Sequence, residues 1–137
     1  MASSPYEVYT RENPISSRVQ IQSDTSSAQL GFDLGKYGRL TEAVVSELET
    51  IVGSENVSRR IEDLICGSYE AVLLKYRPDI IVAPKTVEQV SRILQLANRY
   101  RIPVTPRGAG TSVAGNSLPV LGGICLDMCA MNGILEF

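Results

Sequence analysis

Apolar residues along this chain fall into a few runs, each with its own period. Leu40, Val44, Val45, Leu48, Ile51 and Val52 recur three and four apart. That spacing predicts an amphipathic helix, with Thr41 as N-cap, Gly53 as stop, and Glu42, Glu47 and Glu49 on the solvated face. Asp79-Ile80-Ile81-Val82-Ala83 is instead a continuous run ended by Pro84, the pattern of a buried parallel strand. Thr86 then caps a second helix, and Gln89, three residues on, completes a capping box. The apolar face of this helix reads as Val87, Val90, Ile93, Leu94, Ala97 and Tyr100, while Arg99 and Arg101 suit its C-terminal dipole. Ile102 to Thr105 forms the next strand and Gly122 to Met128 a third. Strand, helix and strand make a β-α-β unit with an expected right-handed crossover.

The flanks are less regular. Residues 1–38 hold no sustained period and are scattered with Ser16, Ser17, Ser23, Ser26, Ser27, Gly31, Gly35 and Gly38. They read as a flexible polar leader, either a disordered tail or an arm packed on a larger protein. Glu7, Glu12 and Asp24 count against an organelle transit peptide. From Ser54 to Tyr76, Ile61, Leu64, Ile65, Val72, Leu73 and Leu74 recur without a clean period, and no chemistry is assigned to this stretch. The domain proper is read as residues 39–137.

Between the second and third strands lies Thr105-Pro106-Arg107-Gly108-Ala109-Gly110-Thr111-Ser112-Val113-Ala114-Gly115-Asn116. Ligands of open parallel sheets sit at the carboxyl ends of strands, where this loop emerges. Glycine admits positive φ and carries no Cβ, so successive N–H groups can turn toward one point. Such a row of amides is an anion site, with phosphate its usual occupant. Thr111 and Ser112 add hydroxyl donors, and Arg107 adds a permanent charge. A structural ion pair at the sheet edge is the alternative for Arg107. The loop is not a Walker A motif, because Asn116 stands where the lysine belongs. Nor is it a dinucleotide fingerprint, since position 113 is Val and Leu118-Pro119 blocks a following helix.

The surroundings of the loop carry a family resemblance. Pro84-Lys85-Thr86-x-Glu88-x-Val90, then Ile102-Pro103-Val104-x-Pro106-Arg107-Gly108-x-Gly110-Thr111-Ser112, then Gly123-Ile124-x-Leu126-Asp127-Met128 occur in order, followed by Met131-Asn132-x-Ile134-Leu135-Glu136. Over residues 39 to 137 the sequence resembles the first part of the FAD-binding domain of the FAD-linked oxidases. The resemblance is nearest to the glycolate oxidase and D-lactate dehydrogenase branch, beside vanillyl-alcohol oxidase and p-cresol methylhydroxylase. It implies an α+β fold, the first subdomain of a PCMH-type FAD-binding domain, with a small, mainly parallel β-sheet flanked by helices. One departure is Cys129-Ala130, where the family often places a basic residue before the Met-Asn pair.

Composition narrows the function classes. Thirteen basic against fifteen acidic residues give a net charge of −2, with no basic run. Nucleic acid and anionic membranes are thereby disfavoured as partners. No apolar stretch reaches the roughly 18 residues of a spanning helix, and no signal peptide opens the chain, so a cytoplasmic protein is expected. The chain contains no histidine, which excludes Ser-His and Cys-His catalysis from its own residues and leaves zinc improbable. Cys66, Cys125 and Cys129 read as buried reduced thiols; Cys125 and Cys129 would share a strand face if the strand ran that far, yet stand too far apart for a bridge. Asp127 reads as a carboxylate hydrogen-bonded near a strand end, with a site role as the alternative.

The resemblance implies FAD as cofactor. Pro106, Arg107, Gly108, Ala109, Gly110, Thr111 and Ser112 would hold the pyrophosphate, with Gly115 and Asn116 close to the cofactor further along the loop. It implies oxidation of a small 2-hydroxy acid of the glycolate or D-lactate type, by hydride transfer to the flavin, with a separate electron acceptor. No catalytic residue falls within the matched positions. Family members are several times longer, so this chain reads as an N-terminal portion that is inactive alone. A subunit completed by a partner chain and a non-catalytic nucleotide- or phosphate-binding module are the alternatives.

Overall fold

In a computed structural model, residues 36–71 and 74–136 of the 137-residue chain are described. Most of the polar leader, and Val72 and Leu73, lie outside them. The order is helix α1 (Glu42–Val52), a 3-10 turn (Ser54–Asn56), strand β1 (Val57–Ser58), helix α2 (Ile61–Cys66), strand β2 (Ile80–Val82), helix α3 (Val87–Tyr100), strand β3 (Val104–Arg107) and strand β4 (Ile124–Asp127).

Both long helices begin and end where local chemistry directs. The Thr41 hydroxyl accepts from the Val44 N–H at 3.4 Å, and Gly53, at φ 88°, stops α1 while donating to the Glu49 carbonyl at 2.8 Å. The Thr86 hydroxyl accepts from the Gln89 N–H at 3.3 Å. The return bond of this box goes one residue further back, to Gln89 Oε1 from the Lys85 N–H at 2.7 Å. Gln89 Nε2 also donates to the Ile51 carbonyl at 3.2 Å, tying the start of α3 to the last turn of α1.

The sheet runs β1-β2-β4-β3. β4 pairs in parallel with β2 (Ile80 to Ile124, Val82 to Leu126) and with β3 (Val104 to Ile124, Arg107 to Asp127), while β1 is antiparallel to β2. The β-α-β unit expected from the sequence is therefore split. β2 and β3 are not neighbours, because the last strand of the chain fills the slot between them.

Successive strand side chains alternate between faces, so Ile80, Val82, Ile124 and Leu126 share one. They pack into a single core with Val44, Val45, Leu48 and Val52 of α1, Ile93, Leu96 and Ala97 of α3, and Ile102. On the opposite face, Ile81 meets the chain just after α2: a Cβ on Gly67 would lie 3.0 Å from Ile81 Cδ1. The mixed fold with a mainly parallel sheet flanked by helices is thus observed.

Three expectations are corrected. The buried face of α3 includes Leu96 and excludes Val87, which is 64% exposed, Leu94, its neighbour two turns along the same flank, and Tyr100, whose exposed hydroxyl donates to Glu47 at 2.9 Å. Strand β3 continues through Pro106 and Arg107, which the sequence places in the loop; β3 is an edge strand, where a missing N–H costs no ladder bond. Strand β4 ends at Asp127, so Cys129 does not share a strand with buried Cys125, and both Cys66 and Cys129 are exposed free thiols.

The turn into β4 fixes its register. Asp79 accepts from the Gly123 N–H at 2.8 Å and returns its own N–H to the Gly123 carbonyl at 2.9 Å. Gly123 sits at φ 71°, and a Cβ there would lie 2.3 Å from the Pro103 carbonyl oxygen.

Candidate cofactor site

The glycine loop leaves the carboxyl end of β3 and returns through Ser117 to Pro119, all buried, before β4. Pro106, Gly108, Ala109, Thr111 and Asn116 are exposed, while Arg107, Gly110, Ser112 and Gly115 are half-buried. Of the nine positions singled out in the sequence, Pro106 and Arg107 end strand β3 and the other seven lie on the one continuous loop that follows it. Gly110 (φ 70°) and Gly115 (φ 83°) hold positive φ. Gly108 does not, and a Cβ there would meet nothing within 4 Å.

The backbone donors of this loop are largely unpaired. From Gly108 to Val113, no N–H donates to a protein group among the described residues; the next, Ala114, donates to the Ser112 hydroxyl at 3.2 Å. Backbone donors are rarely left without partners, so an exposed row of them is available to solvent or to an anion.

Arg107 stands at the start of the row. It is opposite Asp127 in register, and the Met128 N–H donates to its carbonyl at 2.8 Å. Yet its guanidinium forms no ion pair among the described residues, and its Nη1 is buried without a partner. The sheet-edge ion pair expected as the alternative for Arg107 is not formed. Instead the guanidinium lies against Gly110, where a Cβ would fall 2.1 Å from Nη2. Asp127 bonds elsewhere, accepting from the Cys129 N–H at 2.9 Å, as expected for a carboxylate near a strand end.

This electrostatic setting acts on the thiols. Burial pushes the Cys125 thiol up to about 11; Asp127 adds to the rise and Arg107 opposes it. The hydrogen bond to Asp127, together with its charge, raises the Cys129 thiol as well. Neither is a ready thiolate nucleophile at neutral pH.

One residue that sequence reasoning missed is Glu70. Its buried carboxylate accepts from the N–H of Ser117 at 3.2 Å and from the Ser117 hydroxyl, closing the far end of the loop. The only local signal is a single carboxylate after Tyr69 and before an apolar run; its partner is 47 residues away.

The sequence profile of the family described as "FAD binding domain" matches residues 78–137. Residues 78–137 belong to the FAD-binding domain family of the FAD-linked oxidases. Glycolate oxidase subunit GlcD of Bacillus subtilis is 35% identical over 98 residues, covering 71% of this chain and 21% of the relative. A mitochondrial D-lactate dehydrogenase [cytochrome] of Arabidopsis thaliana is 32% identical over 105 residues, covering 73% and 18%. Among solved structures, an alkyldihydroxyacetonephosphate synthase aligns with a TM-score of 0.65 at 26% identity, covering 73% of this chain and 21% of the other. Substrate-bound p-cresol methylhydroxylase aligns with a TM-score of 0.61 at 25% identity, covering 69% and 19%. The chain spans about a fifth of the length of the curated relatives it matches. The fold is therefore that of a PCMH-type FAD-binding domain, and FAD is the cofactor of the family. Among the described residues, no helix is long and apolar enough to cross a membrane.

Proposed function

We propose that the loop from Pro106 to Asn116 holds the pyrophosphate of FAD in a flavin-dependent oxidoreductase acting on small 2-hydroxy acids. The observation that carries the pyrophosphate assignment is the row of N–H groups from Gly108 to Val113, which have no partner among the described residues, beside the guanidinium of Arg107, which forms no ion pair among them. Backbone donors and a fixed cation together match a diphosphate, which spreads its charge over several oxygens. The open side of Gly108 leaves the backbone approachable, and the hydroxyls of Thr111 and Ser112 add donors. Gly115 and Asn116 lie where the loop turns back, in reach of a more distant part of the same ligand. Bound flavin supplies the hydride acceptor, and the protein supplies position and electrostatics.

The substrate class rests on the relatives named glycolate oxidase and D-lactate dehydrogenase, with reoxidation by a separate acceptor. None of residues 78–137 is assigned to chemistry on substrate. Val113, 78% exposed within the loop, and Ile134 and Leu135 beyond β4, at 82% and 95%, support completion of the site by further residues or a partner chain. Residues 1–38 are read as a leader to the domain at 39–137, and the protein as cytoplasmic.

The test is a titration of the purified chain with FAD, followed by flavin fluorescence, with Gly110→Val in parallel. Saturable binding that the variant loses is the expected result. Equal affinity in the two proteins would remove the pyrophosphate assignment from this loop.

A further inference from the structure

We infer that Glu70 is a positioning residue for the cofactor loop, clamping its return at Ser117 and thereby fixing Gly115 and Asn116. The inference rests on the reading of the loop given above. Glu70 is only 7% exposed, and its contacts run to the loop: one carboxylate oxygen takes both the N–H and the hydroxyl of Ser117. Its Oε1 is buried with no hydrogen-bond partner among the described residues, and a Cβ on Gly115 would lie 3.8 Å from it. Gly115 itself holds φ 83°, one of many conformations open to glycine, so keeping it there means removing the freedom of the most mobile kind of residue.

The seat of the clamp is firm. Just upstream, the Gly67 and Ser68 N–H groups close α2 onto the Asp63 and Ile65 carbonyls, and the Ser68 hydroxyl donates to the Ile65 carbonyl at 2.7 Å. The Tyr76 N–H donates to the Ser68 carbonyl at 2.9 Å, and Tyr69 bridges Lys75 in antiparallel fashion. A carboxylate with one oxygen unsatisfied is a costly group to bury for packing alone, and an apolar side chain of the same length would fill the space at lower cost. What an apolar side chain could not do is hold Ser117 by two hydrogen bonds. Ordering the loop accounts for the buried carboxylate.

The test compares the 137-residue chain with its Glu70→Met, Glu70→Gln and Ser117→Ala variants, by amide hydrogen exchange and by FAD titration. Glu70→Met is expected to speed exchange at residues 115–118 by tenfold or more, far more than in α1 and α3, and to lower the melting temperature modestly because the Ser117 donors lose their acceptor. FAD affinity should fall about tenfold, and Glu70→Gln, whose amide oxygen still accepts from Ser117, should restore most of both. Unchanged exchange at 115–118 in Glu70→Met would overturn the clamp. Faster exchange with unaltered FAD affinity would overturn its service to the cofactor. If Glu70→Met does not fold, Ser117→Ala decides in its place: parental exchange at residues 115–118 would overturn the clamp. If the parent chain binds no FAD, the reading of the loop in this chain fails, while the exchange data still decide whether Glu70 positions it.

Discussion

The guanidinium of Arg107 occupies the space that a side chain on Gly110 would take, with Nη2 2.1 Å from the position of the absent Cβ. The charge and the bare backbone beside it therefore depend on one another. Gly110→Ala brings a Cβ into a φ of 70°, at about 1–2 kcal/mol, and pushes the guanidinium aside. Because the displaced group is the flexible end of a long side chain, the fold should survive and the loss should fall on the ligand. Circular dichroism should be unaltered, with FAD affinity at least tenfold weaker. An unaltered affinity would show that the guanidinium's placement does not matter to binding.

Arg107 itself offers a test with opposite signs in two measurements. A buried donor without a partner is a cost to the folded state, so Arg107→Met should leave the melting temperature unchanged or raised. Affinity for FAD and for pyrophosphate alone should drop, and more steeply at low salt. A fall in stability with intact affinity would make Arg107 a structural residue.

Gly123→Ala is expected to destabilise the protein by about 2 kcal/mol or more, since strain at positive φ alone is worth about 1–3 kcal/mol. The backbone must also move, because the obstructing atom is the Pro103 carbonyl oxygen, 2.3 Å from the new Cβ. Urea denaturation measures this, and a midpoint equal to the parent's would contradict it.

Cys125 makes stability depend on alkaline pH. Its thiol is raised to about 11 when folded, so the folded state keeps a proton that the unfolded chain releases at lower pH. Its contribution is complete below the unfolded value and is lost as pH rises toward 11. Melting temperatures of the parent and Cys125→Ala should therefore converge or cross between pH 8 and pH 11. Parallel curves would assign the alkaline loss to other groups.

Asp127 raises the Cys129 thiol through a hydrogen bond and its charge, so less of this exposed thiol is ionised at neutral pH. Asp127→Asn should lower that value and speed alkylation of Cys129 several-fold at pH 7.5, read by mass spectrometry. Buried Cys125 should stay unmodified until the protein unfolds.

What the sequence made legible was governed by short-range chemistry. Thr41, Gly53 and Thr86 mark helix ends because their partners lie within four residues. The three parallel strands were visible as apolar runs, and the loop as a cluster of small residues between two of them. The order of those strands was not, because pairing of Ile80 and Val104 with the same Ile124 is decided across the whole sheet. Leu96 was missed for a related reason: the buried stripe of α3, Ile93, Leu96 and Ala97, lies to one side of the face that Val87 and Leu94 suggest, and which side is covered depends on the elements packed against it. Pro106 looked like the end of a strand until the edge position of β3 made its lost donor harmless. Glu70 was illegible because a carboxylate announces nothing until its partner arrives from 47 residues away.

The placement of β4 also has a kinetic side. β2 and β3 touch only through a strand that begins more than forty residues after β2 begins. Its pairing with β2 closes a long loop before any ladder bond offsets the lost chain entropy. On the ribosome, a nascent chain that has reached only the glycine loop can form α1 and α3 but must keep the facing edges of β2 and β3 unpaired. Such edges invite pairing with other chains, so the interval before Asp127 emerges is when this protein most needs a chaperone.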